Sequence, residues 1–195
     1  MNLSAVILAG GKSSRMGRDK AWLEINGQSL LARQVELARA AGATEVFISG
    51  RAETDYSQFG CRVLQDRFPT AGPLAGIESA LAVTTTPLLL VLAVDMPEMS
   101  ADFLRKLRAA CTENSGVIPQ VSGRIEPLAA FYPKAACDLA VELLGAKHAG
   151  AETGAPGPTD FARECVKRKL AEFVEVSAAE ARYFTNWNSP NDLRA

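Results

Sequence analysis

The hydrophobic pattern opens with Leu3–Leu8, an apolar run rich in β-branched and aliphatic residues that predicts a buried strand. Gly10-Gly11 breaks it. Trp22-Leu23-Glu24-Ile25 then alternates, and Asn26-Gly27 is a turn signal. Residues 28–41 carry Leu30, Leu31, Val35, Leu37 and Ala38 at helical spacing, with Gly42 as the C-cap. A strand over Glu45–Ser49 closes at Gly50, and a weaker one over 61–64 ends at Gln65-Asp66. Residues 68–76 read F-P-T-A-G-P-L-A-G, a loop whose Pro73 suits the first turn of a helix over 74–82. Residues 88–94 are the most apolar run in the chain and predict a central strand buried on both faces.

The second half is less regular. Ser100 caps a helix over 101–111, with Phe103, Leu104 and Leu107 inward and Arg105, Lys106 and Arg108 outward. Strands over 116–120 and 128–132 flank Ser122-Gly123-Arg124, and 134–144 reads as a helix. Residues 145–158, rich in Gly, Ala and Pro, predict a mobile loop. A helix over 160–170, with Phe161, Cys165 and Leu170 inward, a strand over 173–176 and a short helix over 190–193 complete the chain. Strands alternating with helices predict a parallel sheet with right-handed crossovers, in one domain without internal repeats.

Composition narrows the function. The 195 residues are 48% hydrophobic, with a net charge of -1. A general nucleic-acid binder is usually more basic, so anion binding here is expected to be local. Cys61, Cys111, Cys137 and Cys165 form no C-x-x-C pair and read as reduced, mostly buried thiols. His148 is the single histidine, which argues against a multi-histidine metal site. The first apolar run is too short for a signal peptide and no stretch is long enough for a membrane helix, so a soluble cytoplasmic protein is expected.

The chemistry centres on the stretch after the first strand, L-A-G-G-K-S-S-R-M-G-R-D-K from Leu8 to Lys20. Paired glycines let the backbone approach a ligand and turn N–H groups toward it. Ser13 and Ser14 add hydroxyls, while Lys12, Arg15, Arg18 and Lys20, with Arg33 further on, supply cations for oxyanions. A Walker A loop is excluded because Val6 stands where its first glycine belongs, and the dinucleotide fingerprint G-x-G-x-x-G is absent. In open α/β sheets ligands sit beyond the carboxyl ends of strands. Asp66 and Asp95 fall at such ends. Asp95 precedes Met96-Pro97; it either caps the next turn or binds a hard cation, and Mg²⁺ suits a site beside phosphates. Asp66 either accepts hydrogen bonds from a base edge or ribose, or pairs with Arg67.

The order L-A-G-G-x-S-x-R-M-G-x-D-K resembles the molybdenum cofactor guanylyltransferases, within a wider group of nucleotidyltransferases. Gly72-Pro73-Leu74-Ala75-Gly76, Val94-Asp95-Met96-Pro97 and Phe184-Thr185-Asn186-Trp187-Asn188-Ser189-Pro190 extend the resemblance over nearly the whole chain. It implies the nucleotide-diphospho-sugar transferase type of α/β fold: three layers, with a Rossmann-like, mostly parallel twisted sheet and helices on both faces. Residues 1–100 would form a nucleotide-binding half and 101–195 a pterin-binding half. The implied reaction transfers GMP from GTP to the terminal phosphate of molybdenum-molybdopterin, with Mg²⁺ as cofactor and pyrophosphate as leaving group. Arg15, Lys20 and Asp95 would be catalytic, with Asp95 the metal ligand. Leu8, Ala9, Gly10, Gly11, Ser13, Lys20, Ser49, Asp66, Gly72, Asp95, Asn186 and Asn188 would bind substrates. Asp66 would contact guanine, and the helix after Gly72 would face the nucleotide. Some family members carry an asparagine after the second strand where this chain has Ser49-Gly50-Arg51, so Ser49 or backbone groups would substitute there. Arg124, Glu126, Asn186 and Asn188 are the candidates in the pterin half. Molybdopterin-delivering proteins and molybdoenzymes would be partners; nucleic acid and membranes would not. The rival expectations are a cytidylyltransferase for the same pterin, another sugar-phosphate nucleotidyltransferase, and a carrier that binds nucleotide and pterin without turnover.

Overall fold

The structure, a computed structural model, describes residues 1–10, 20–68, 71–148 and 156–187. Strand β1 (Leu3–Leu8) is buried along its length. After a short 3₁₀ turn (Lys20–Trp22), β2 (Glu24–Ile25) and β3 (Gln28–Ser29) form a small hairpin. Asn26 and Gly27 both take positive φ, as a two-residue hairpin turn demands. Helix α1 (Leu30–Ala40) therefore begins two residues later than the hydrophobic spacing alone predicts, because Gln28 pairs in the hairpin and the Ser29 hydroxyl accepts the Ala32 N–H. Strands β4 (Glu45–Ser49) and β5 (Arg62–Leu64) follow. Helix α2 (Pro73–Val83) leads to the most apolar strand, β6 (Leu88–Ala93), and α3 (Ala101–Ala109) starts at the predicted Ser100 cap.

The second half departs from a purely parallel sheet. Strands β7 (Gly116–Val121) and β8 (Arg124–Ile125) turn at Ser122-Gly123, both at positive φ, and β9 (Ala129–Pro133) runs antiparallel to β6 and β7. The few residues between β7 and β9 are too short for a parallel crossover. Helix α4 (Cys137–His148) extends into the segment expected to be a loop over 145–158, and α5 (Pro158–Lys167) begins at its other end. Strand β10 (Ala171–Glu175) pairs in parallel with β7, and a 3₁₀ turn (Ala181–Phe184) follows. The helix expected over 190–193 lies outside the described residues.

The sheet order is β10-β7-β9-β6-β1-β4-β5, with β6 in the middle as expected. Alternate side chains of the central strands enter two separate cores. Leu3, Ile7, Leu88, Leu90 and Leu92 pack with α1 and α3 on one face. Val6, Leu8, Leu89 and Val91 pack with α2, α4 and α5 on the other. The result is the expected three-layer α/β/α arrangement. Two arginines of α3 turn from the outward face to the end of α1: Arg108 donates to the Ala41 carbonyl at 3.1 Å and Arg105 to that of Ala40. All four cysteines are free, and burial pushes the Cys111 and Cys165 thiols up to about 12, so both are inert thiols at neutral pH.

Candidate active site

Four parallel strands end side by side. Leu8 is level with Ser49 on one side and Ala93 on the other, and Ser49 is level with Leu64. The residues just beyond these ends therefore share one edge: Ala9-Gly10, Gly50, Asp66 and Asp95. At about 4.8 Å per strand, the edge from β6 to β5 spans roughly 14 Å. That length accommodates an extended ligand lying across the strand tips.

At the β6 end, Lys20 Nζ donates to Asp95 Oδ2 at 3.1 Å, joining residues 75 apart in sequence. Both side chains are about one-fifth exposed, so the pair faces the site yet is largely walled by protein. The turn that carries Asp95 is held by three donors. Its own carbonyl accepts the Trp187 N–H at 2.9 Å, Met96 accepts the Gln34 side-chain amide at 2.7 Å, and Pro97 accepts Arg33 at 3.4 Å. Gln34 is a buried amide in the apolar stripe of α1; that misfit among leucines was the sequence signal for a structural contact. The link to Trp187 also brings Asn186 to the Asp95 carbonyl from the far end of the chain. Phe184 anchors this return by packing edge-on against Phe103 of α3.

At the β1 tip, the Ala9 and Gly10 N–H groups both donate to the Ser49 carbonyl, at 2.8 and 3.0 Å. The Gly10 amide is thus committed to the sheet, and phosphate-binding amides of the loop would begin at Gly11. Gly11, Ser13, Arg15 and Asn188 lie outside the described residues. Leu8 and Ala9 are buried beneath the site, where they shape its floor.

At the β5 end, the Ser49 hydroxyl donates to Asp66 Oδ1 at 3.4 Å. Ser49 is buried because α2 presses on it: a Cβ at Gly76 would stand 2.4 Å from its hydroxyl oxygen and 2.9 Å from a Leu8 methyl. This close approach explains the second glycine of G-P-L-A-G. Gly72 is the N-cap of α2 at φ 76°, a left-handed conformation that favours glycine, and it is exposed at the helix entrance. Asp66 is an exposed residue whose carboxyl group has protein on one side. The water lost there raises its pKa, the Ser49 hydroxyl bond lowers it, and the charge of Glu78 raises it. Arg67 does not pair with Asp66. It turns inward to Glu78, a fully buried carboxylate in the middle of α2. The lone acid in the run L-A-G-I-E-S-A-L was the signal for this pair.

In the second half, Glu126 is nearly buried, with Arg124 donating to it at 2.6 Å. Loss of water raises its pKa and the guanidinium lowers it. Among the described residues no three His, Cys, Asp or Glu side chains cluster to cage a metal. A single carboxylate at a phosphate site suits Mg²⁺, which retains waters and takes its other ligands from substrate phosphates. Asp95 fits that donor set. No helix of the described residues is long and apolar enough to cross a membrane.

This edge, with a cation–carboxylate pair at one end and a second carboxylate at the other, belongs to an α/β protein of the nucleotide-diphospho-sugar transferase fold. Comparison with known proteins narrows the class. The chain belongs to the MobA-like NTP transferase domain family, whose sequence profile matches residues 5–155. It is 37% identical over 97% of its length, and 92% of the relative's, to a protein of Opitutus terrae named "Probable molybdenum cofactor guanylyltransferase". A molybdenum cofactor guanylyltransferase of Syntrophotalea carbinolica is 36% identical over 74% of this chain and 70% of its own. The crystal structure of molybdopterin-guanine dinucleotide biosynthesis protein A from Archaeoglobus fulgidus shares the fold, with a TM-score of 0.74 and 23% identity over 98% of this chain and 95% of that one.

Proposed function

We propose that this protein transfers GMP from GTP to the terminal phosphate of molybdenum-molybdopterin, forming the molybdopterin guanine dinucleotide cofactor. The observation that carries the reading is the meeting of Lys20 with Asp95 at the carboxyl edge of the sheet. The family and the guanylyltransferase relatives give the substrate class. In the reaction an oxygen of the pterin's phosphate forms a bond to the α-phosphorus of GTP. The bond from that phosphorus to the α–β bridging oxygen breaks, and its electron pair leaves with pyrophosphate. A phosphate nucleophile is already ionised at neutral pH, so no general base is required. The protein contributes position and charge.

Lys20 would hold triphosphate oxygens, with Arg15 and loop amides from Gly11 onward. Asp95 would hold Mg²⁺, which when bound neutralises charge on the reacting phosphates. Asp66 would accept the donor edge of guanine, Ser49 would orient Asp66, and the entrance of α2 at Gly72 would face the nucleotide. Asn186 and Asn188, with Arg124 and Glu126, would serve the pterin. Molybdopterin-delivering proteins and molybdoenzymes would be the protein partners, in the cytoplasm.

The test is calorimetric titration with GTP, CTP and ATP, with and without Mg²⁺, followed by pyrophosphate release in the presence of the pterin. GTP is expected to bind in preference to the other two, more tightly with Mg²⁺. Asp95→Asn is expected to lower turnover on the order of a hundredfold or more with modest loss of stability. Lys20→Ala is expected to weaken GTP far more than guanosine. Preference for CTP would leave the mechanism and change the product. Near-normal turnover of Asp95→Asn would remove Asp95 from the metal role.

A further inference from the structure

The transfer chemistry leaves unexplained why α2 buries a charge. Glu78 is fully buried in a helix whose Leu74, Ile77, Ala80 and Leu81 are buried as well, and an apolar residue in its place would pack without the cost of desolvating a carboxylate. Its two oxygens take the Arg67 guanidinium, Nε to Oε2 at 3.3 Å and Nη2 to Oε1. The next residue of α2, Ser79, accepts the main-chain N–H of the same arginine through its hydroxyl at 3.4 Å. Arg67 is therefore held at its backbone and at its side-chain tip by consecutive residues of one helix. It follows Asp66 directly, so this grip fixes the Cα that carries the Asp66 carboxyl group. On the other side, Asp66 takes the Ser49 hydroxyl, itself pressed by α2 at Gly76.

Resting on the reading of Asp66 as the guanine contact, we propose that Glu78 and Arg67 form a positioning clamp. It aims Asp66 at the donor edge of the base, so that base selectivity depends on α2 as well as on Asp66 itself. A carboxylate that accepts two parallel hydrogen bonds, from the ring N–H and the exocyclic amine of guanine, needs its plane held within a narrow range. A β5 tip followed by loop does not supply that restraint. The bidentate Arg67–Glu78 pair does, and it leaves the phosphate end of the site untouched.

The experiment compares binding of GTP with that of inosine triphosphate, which differs by loss of the exocyclic amine. Wild-type protein is expected to favour GTP by about tenfold or more, and Asp66→Asn to abolish that preference. Glu78→Gln is expected to reduce the preference at least about fivefold, weakening GTP more than inosine triphosphate, which keeps only the ring N–H to Asp66. A pair that merely stabilised the fold would move the melting temperature and not this ratio. An unchanged ratio in Glu78→Gln, with Asp66→Asn altered as expected, overturns the clamp alone. No effect of Asp66→Asn overturns the guanine reading and the clamp with it. Should Glu78→Gln fail to fold, the double variant Arg67→Gln with Glu78→Gln leaves no unpaired buried charge. The same loss of preference is expected of it, and an unchanged ratio there likewise overturns the clamp.

Discussion

At the scale of single residues, the site turns on how each charge is held. Lys20 and Asp95 neutralise one another, so the phosphate end presents a cation already engaged by a carboxylate oxygen. Arg67 is taken by Glu78, so among the described residues Asp66 has no paired cation, and its raised pKa follows from lost water and from the Glu78 charge, against the Ser49 bond. The folded chain therefore binds the Asp66 proton more readily than the unfolded chain. That contribution to stability is full below the ordinary value of 3.8 and is lost as pH rises through the raised value. Guanine binding at Asp66, as proposed, would run the other way, because only the ionised carboxylate accepts both base donors. Guanosine, which carries no titrating phosphate, is expected to lose affinity as pH falls from about 7 toward 4, with its midpoint above that of a free aspartate. Ser49→Ala removes a bond that favours the ionised form and is expected to move the midpoint higher; a midpoint at the ordinary aspartate value would show that Asp66 is fully solvated. The place of Asp95 at a strand end was legible because it follows the most apolar run of the chain, and that of Asp66 from the weaker strand that ends before Gln65. Glu78 and Gln34 stand out in the sequence only as polar residues on apolar helices, and the Trp187 link not at all, since their partners lie in other elements and a pattern along one element does not show them.

At the scale of elements, α2 does two things: its entrance opens at the strand tips, and its second turn is driven onto Ser49. The contact is possible because residue 76 has no Cβ. Gly76→Ala gains about 1 kcal/mol of helix propensity, against about 1–3 kcal/mol for forcing a methyl into filled space. The nearest obstacle is a buried serine that would have to abandon Asp66 to make room. A net loss is expected, up to about 2 kcal/mol, visible as a lowered melting temperature, together with weaker guanosine binding. A variant as stable as wild type with full affinity would show that Ser49 can turn away without consequence. The glycine was readable as part of a motif, while its reason needed the packing of α2 across β1 and β4. Element direction was the other limit of the sequence. The spacing placed β7 and β9 correctly, yet the antiparallel course of β9 depends on which neighbour it meets, and local periodicity is the same for either direction.

At the scale of the whole molecule, the expected division near residue 100 runs through a continuous sheet. β6, the last strand before it, has β1 on one side and β9 on the other, with five registered pairs from Leu88–Pro133 to Leu92–Ala129. The core beneath that seam takes Phe103, Leu104, Leu107, Phe131 and Phe184 from the second half and Leu88, Leu90 and Leu92 from the first. Five large side chains at about 1.5–3 kcal/mol each amount to roughly 8–15 kcal/mol. An ordinary domain has a net stability of about 5–15 kcal/mol. A fragment of residues 1–100 would lose all of that burial and expose one edge of its most apolar strand, so it is expected to aggregate or remain without a cooperative transition. The full chain is expected to unfold in urea in one step, with tryptophan fluorescence, from Trp22 and Trp187, and far-ultraviolet circular dichroism sharing a midpoint. A soluble, cooperatively folding fragment that bound GTP would make the nucleotide half an independent domain. Failure of the fragment alongside a single transition would mean that the Asp95 turn, gripped by α1 from one half and by Trp187 from the other, is held by the entire fold.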